Sequence, residues 1–166
     1  SQTLSLALTL DKVSHAYLFS GLRGSGKTSS ARIFARALQC EKFPSPEPCN
    51  ECDSCKAALD GSHLDIIEMD AASSRGIDDI KSLIEQIAYP PSFGRFKIFI
   101  IDEIHMLTKE AFNAFLKTLE EPPSYVKFIL ATTDPMKLPV TILSRTQHFR
   151  FKKIAQTAIE AHLKRI

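Results

Sequence analysis

Nowhere in these 166 residues do about 18 apolar residues run together, so no segment is expected to cross a bilayer as a helix. A basic-then-apolar leader with a small-residue cleavage site is also missing, and the expectation is a cytoplasmic chain with no membrane partner. Charge of one sign is never in large excess. With 21 basic and 19 acidic residues the net charge is +2, which excludes an overall basic field and leaves nucleic-acid contacts to local groups. Biased tracts and internal repeats are absent, and a hydrophobic fraction of 44% with 24% charged residues is ordinary for a folded domain. A chain of this length buries about 70% of its unfolded surface. Cysteine is absent everywhere except between residues 40 and 55.

What is present alternates short apolar runs with longer segments of helical period, the pattern of an α/β fold with a parallel sheet covered on both faces. Strands are expected over residues 16–20, 65–69, 97–101, 127–131 and 147–151. Helices are expected over residues 27–39, 77–89 and 109–120, with a first near 3–10 and a last starting near 154. Pro90, Pro91, Pro122, Pro123, Pro135 and Pro139 fall where helices and loops must turn.

Residues 21–28 read GLRGSGKT, follow the apolar HAYLFS and open a helical segment, the context that a phosphate-binding loop requires. Gly21, Gly24 and Gly26 allow a tight turn whose N–H groups face a phosphate at a helix N-terminus, and Ser25 and Ser29 complete the nucleotide-binding set. Lys27 is expected to reach the β and γ phosphates of ATP, and the Thr28 hydroxyl to ligate Mg²⁺. KIFIIDEIH at residues 97–105 is an apolar strand ending in two acids. Asp102 is expected beside the phosphate-loop strand, holding the Mg²⁺ hydration shell, with Glu103 orienting or deprotonating the attacking water. His105 reads as a surface or capping histidine. Cys40, Cys49, Cys52 and Cys55 form C-x8-C-x2-C-x2-C, a spacing that suits four thiolates closing around a structural Zn²⁺, with free thiols or disulfides as the alternative.

HAYLFSGLRGSGKT, the cysteine module, FIIDEIHML, NAFLKTLEEPP, FILATTDP and KLPVTILSRT succeed one another across nearly the whole chain. In this order they resemble the bacterial DNA polymerase III gamma/tau family, the ATPases of the sliding-clamp loader. The resemblance implies a three-layer P-loop NTPase fold of the AAA+ type with a five-stranded parallel sheet. It puts the nucleotide-binding domain at residues 1–152, a zinc module inserted at about 40–60, and the start of a helical lid at 153–166. It further implies that Thr133 senses the γ-phosphate and that Arg145, in SRT, is an arginine finger directed at ATP on a neighbouring subunit. Thr146 stands where the family motif has cysteine. Residue by residue, Thr133 also reads as a turn threonine and Arg145 as a surface arginine capping a short helix.

The implied partners are other loader subunits in a hetero-oligomer, the sliding clamp, and primer–template DNA held by its backbone. Arg75 and Lys109, each near an expected helix start, are the candidates for DNA phosphates, against a reading as solvated charges. The resemblance implies a family segment ahead of the first helix, and lid and collar regions after Ile166. The chain alone is therefore expected to bind nucleotide weakly and to hydrolyse it slowly if at all. Two other readings stand beside this one: a catalytically silent loader scaffold, and a P-loop kinase or signalling NTPase with a structural zinc.

Overall fold

The apolar run that ends at Asp102 lies inside a five-stranded parallel sheet. In the computed structural model, which describes residues 2–153, the strands are β1 (Ala16–Gly21), β2 (Ile66–Asp70), β3 (Lys97–Asp102), β4 (Val126–Thr132) and β5 (Gln147–Phe151). The helices are α1 (Gln2–Thr9), α2 (Lys27–Gln39), α3 (Asp53–Asp60), α4 (Ile77–Ile87), α5 (Lys109–Glu120) and α6 (Val140–Arg145). Strand side chains alternate between faces, so one apolar run feeds two cores. Leu18, Phe99 and Phe128 pack with α4 and α5 on one face. Tyr17, Phe19, Ile98, Ile100 and Ile129 pack with Phe34 and Leu38 of α2 on the other. Edge-to-face pairs fix both layers: Phe115 with Phe128 at 5.2 Å and Tyr17 with Phe34 at 4.8 Å between centroids. Each such burial contributes about 1.5–3 kcal/mol.

The strand order is β2-β3-β4-β1-β5, with every neighbouring pair parallel. The expectation that the strand of Asp102 adjoins the phosphate-loop strand is corrected: β4 lies between them. All seven β4 residues are buried, and the most uniformly buried strand takes the centre of the sheet. As a result the end of β4 separates Gly21 from Asp102, and side chains must bridge that strand to meet.

One helix arises where none was expected, and a second was anticipated only as the short helix that Arg145 caps. Helix α3 lies within the cysteine module and buries only Ser54 and Cys55, too little apolar surface to give a helical period. Helix α6 follows Pro139 and has six residues, too few for a period to show. The helix expected from residue 154, and almost all of the expected lid, lie outside the described residues. No described helix is long and apolar enough to cross a membrane.

β2 starts at Ile66, and the Asp65 carbonyl just before it accepts the Ile98 N–H of β3 at 2.8 Å. The Asp65 carboxylate is buried and accepts the backbone N–H groups of Ser92, Phe93 and Gly94 at 2.7, 2.6 and 2.5 Å. The Gln39 side chain, at the end of α2, accepts from the N–H groups of Arg95 and Phe96 and donates to the Phe96 carbonyl. Together they fasten the loop that leads into β3. Burial alone would raise the Asp65 pKa, but the three N–H donors outweigh it and hold the group below the ordinary 3.8.

A depressed carboxylate pKa contributes stability above its unfolded value that is lost as pH falls through the folded value. Asp65→Asn is expected to cost about 2 kcal/mol or more at pH 7, and the gap to the parent should close below pH 3.8; urea unfolding at several pH values measures both. Gly21→Ala is expected to destabilise by about 1–3 kcal/mol in the same assay. Its Cβ would stand 2.6 Å from the Phe151 carbonyl oxygen and 2.9 Å from Phe151 Cβ, forcing β1 and β5 apart.

Candidate functional site

A cleft of about 740 Å³ opens at the C-terminal edge of the sheet, where β1, β2, β3 and β4 end. Its floor is the loop between β1 and α2. Gly26, the residue before α2, has φ 88°, a left-handed conformation open to glycine, and this turns the chain so that the first N–H groups of α2 face the cleft. Lys27 is 5% exposed and donates from Nζ to the Gly21 and Leu22 carbonyls, both at 2.9 Å. Thr28 donates its hydroxyl to Asp102 Oδ2 at 2.5 Å, reaching past the end of β4. Gly24, Gly26, Lys27, Thr28, Ser29 and Asp102 all line the cleft. Gly21 and Ser25 do not line it; the Ser25 hydroxyl is buried with no hydrogen-bond partner among the described residues. A hydroxyl beside a carboxylate at a helix N-terminus is a donor set that fits Mg²⁺, which takes oxygen ligands.

Sequence reasoning missed Asp70, the last residue of β2, which faces the same cleft in register with Asp102. Its signal was positional, since parallel strands gather their C-terminal residues at one edge.

Glu103 follows β3 with φ 48° and ψ 43°, a left-handed backbone that costs a non-glycine residue about 1–2 kcal/mol. Its Oε2 accepts from the Thr133 hydroxyl at 2.9 Å and the Thr133 N–H at 3.2 Å. Thr133 therefore does more than shape a turn. The expectation for His105 is corrected: its side chain is 8% exposed, with Nδ1 2.8 Å from the Thr132 hydroxyl and 3.3 Å from Glu103 Oε2. The cause is again β4, whose central place puts Thr132 and Thr133 against the residues that follow β3.

Arg145, the last residue of α6, does not line this cleft. Its guanidinium donates to Glu120 at 2.9 Å and to the Thr141 carbonyl at 3.2 Å, so it also caps its own helix. Arg75 and Lys109 are both exposed, and the Thr108 N–H donates to the Arg75 carbonyl at 3.0 Å, which brings the starts of α4 and α5 together.

The four cysteine sulfurs lie within 4.8 Å of one another, and none forms a disulfide. Four sulfurs at about 2.3 Å from a common Zn²⁺ would be about 3.8 Å apart, close to what is present. Cys40 closes α2 and Cys52 caps α3. Backbone N–H groups of Cys49, Cys52 and Cys55 donate to the sulfurs of Cys40, Cys49 and Cys52, each at 3.4 Å, a pattern that favours thiolates. Donation from the backbone of Glu51 and Cys52 lowers the Cys49 thiol to about 6, while burial pushes Cys55 up to about 12. The donor set fits a closed tetrahedral zinc site with no open position. His63 docks the module on the sheet: its Nε2 meets the Ser54 hydroxyl at 2.9 Å and its Nδ1 accepts the Asp65 N–H at 3.1 Å.

Residues 1–155 match the family model described as DNA polymerase III, delta subunit. The chain is 54% identical over its full length to the DNA polymerase III subunit tau of Bacillus subtilis and 51% identical over 98% of its length to that of Escherichia coli. It spans 30% and 25% of the lengths of those two relatives. Among solved structures, a DNA polymerase III gamma subunit-related protein of Thermotoga maritima superposes with TM-score 0.70 at 26% identity, over 95% of this chain and 48% of that one. The RuvB Holliday junction branch migration motor of the same organism shares the fold, at TM-score 0.67 and 20% identity over 99% of this chain and 48% of that one. The phosphate loop, the five-stranded sheet and these matches agree: the chain belongs to the DNA polymerase III subunit family, with tau and gamma subunits among its relatives.

Proposed function

We propose that this chain is the ATP-binding and hydrolysing core of a sliding-clamp loader subunit, which couples ATP to loading the clamp on primed DNA. The observation that carries the reading is the 2.5 Å bond from Thr28 to Asp102 beside a buried Lys27, with Glu103 held by Thr133 in the same cleft. The N–H groups from Gly21 to Ser29, Gly24, Ser25 and Gly26 included, receive the phosphates at the start of α2. Lys27 neutralises the terminal phosphates. Thr28 and Asp102 hold Mg²⁺, which when bound withdraws charge from the phosphoryl group in transfer. Glu103 orients and deprotonates the attacking water, a contribution of about 10²–10⁴ in rate. Thr133 aims that carboxylate and senses the γ-phosphate.

Arg145 does not line the cleft of its own chain and serves ATP on a neighbouring loader subunit, a contribution of about 10³–10⁵. Primer–template DNA is held by its phosphates, with Arg75 and Lys109 as contacts. Zn²⁺ on Cys40, Cys49, Cys52 and Cys55 folds the inserted module, and the assembly works in the cytoplasm.

In the full-length parent chain assembled with its loader partners, clamp and primed DNA should stimulate ATP turnover. Arg145→Ala should reduce that stimulated turnover about 10³-fold while nucleotide binding survives. Turnover indifferent to clamp, DNA and Arg145 would return the chain to a generic P-loop NTPase, and phosphate transfer to a small acceptor would make it a kinase. Metal analysis should find stoichiometric zinc, and chelation or Cys52→Ser should lower the melting temperature. A melting curve blind to chelator would identify a cluster of free thiols.

A further inference from the structure

His105 has no role in the function proposed above, yet its imidazole is enclosed where β3 and β4 end. Nδ1 stands 2.8 Å from the Thr132 hydroxyl and 3.3 Å from Glu103 Oε2. Thr132 Oγ1 also accepts the Asp134 N–H at 3.1 Å. An ionised carboxylate only accepts, so an Nδ1 lone pair turned toward Glu103 would be repelled, and the tautomer assigned by these partners is Nδ1–H. The same Glu103 oxygen takes the two Thr133 donors, while Oε1 has no hydrogen-bond partner among the described residues. One oxygen is thus held by both Thr133 donors with the His105 ring nitrogen beside it, and the other is left free, at a residue whose backbone is itself strained.

We infer that His105 is a positioning residue, whose Nδ1–H, donated to Thr132, keeps its positive end 3.3 Å from Glu103 Oε2 at the end of β4 and so leaves Oε1 to the attacking water. The inference rests on the reading of Glu103 as the residue that activates water. His105 transfers no proton. It biases the Glu103 rotamer through charge, and Thr132 in turn fixes the ring: its hydroxyl oxygen accepts the Nδ1–H and also the Asp134 N–H. Packing alone would require only the volume of the imidazole, whereas this role requires a donor at the Nδ1 position.

That difference is testable in the full-length parent chain within its loader assembly. His105→Asn sets an amide N–H close to the place of Nδ1, and His105→Gln sets it close to that of Nε2. His105→Asn is expected to keep kcat within about threefold, and His105→Gln to lose about tenfold or more, with nucleotide Kd changed less than about twofold in both. Equal kcat for the two variants, or kcat and nucleotide binding falling together, would overturn the inference. Glu103→Gln measured alongside separates the two levels. If it retains full turnover, the reading of Glu103 fails. If it is inactive while His105→Gln is fully active, only the role of His105 fails.

Discussion

The hydrogen bond from Thr28 to Asp102 is the constraint on which the candidate site depends. It joins the first turn of α2 to the end of β3 although a whole strand separates β3 from β1. The span crosses the end of β4 at Thr132, a small residue, after which the chain turns into the loop at Pro135. Most of the other groups at the cleft take their position from one of the two elements this bond connects. Lys27 belongs to α2, Glu103 and His105 follow β3, and Thr133 closes the gap from β4.

Strain and restraint accompany each other at Glu103. A left-handed glutamate persists only where its surroundings determine it. Here its own N–H donates to Asp102 Oδ1 at 2.9 Å, its carbonyl accepts from Met106 at 2.8 Å, and its side chain is held by Thr133. The Asp102 carboxylate therefore serves both neighbours, accepting the Thr28 hydroxyl on one oxygen and the Glu103 amide on the other.

Local chemistry was legible in the sequence and long-range placement was not. GLRGSGKT, DEIH and the cysteine spacing each carry their meaning within a few residues, and the strands appeared as apolar runs because a sheet buried on both faces must be apolar at every position. Strand order leaves no such trace: β4 and β1 are both almost wholly buried, and only the assembled sheet shows which lies in the centre. The same holds for His105, whose burial comes from Thr132 on another strand, and for Asp65, which reads as a strand residue until the loop at Ser92–Gly94 is seen folded over it. Helix α3 stayed hidden because its order comes from capping by Cys52 and from docking through His63, not from an apolar face.

Helix α2 begins with Lys27 and Thr28 and ends against Cys40. Its 13 residues make a rod of about 20 Å, with the phosphate loop at one tip and the first thiolate of the cluster at the other. Ala31, Phe34, Ala35 and Leu38 bed it on the sheet along most of its length. One element therefore sets the distance between the nucleotide loop and the cysteine cluster, and the sheet beneath it holds both ends in a single frame.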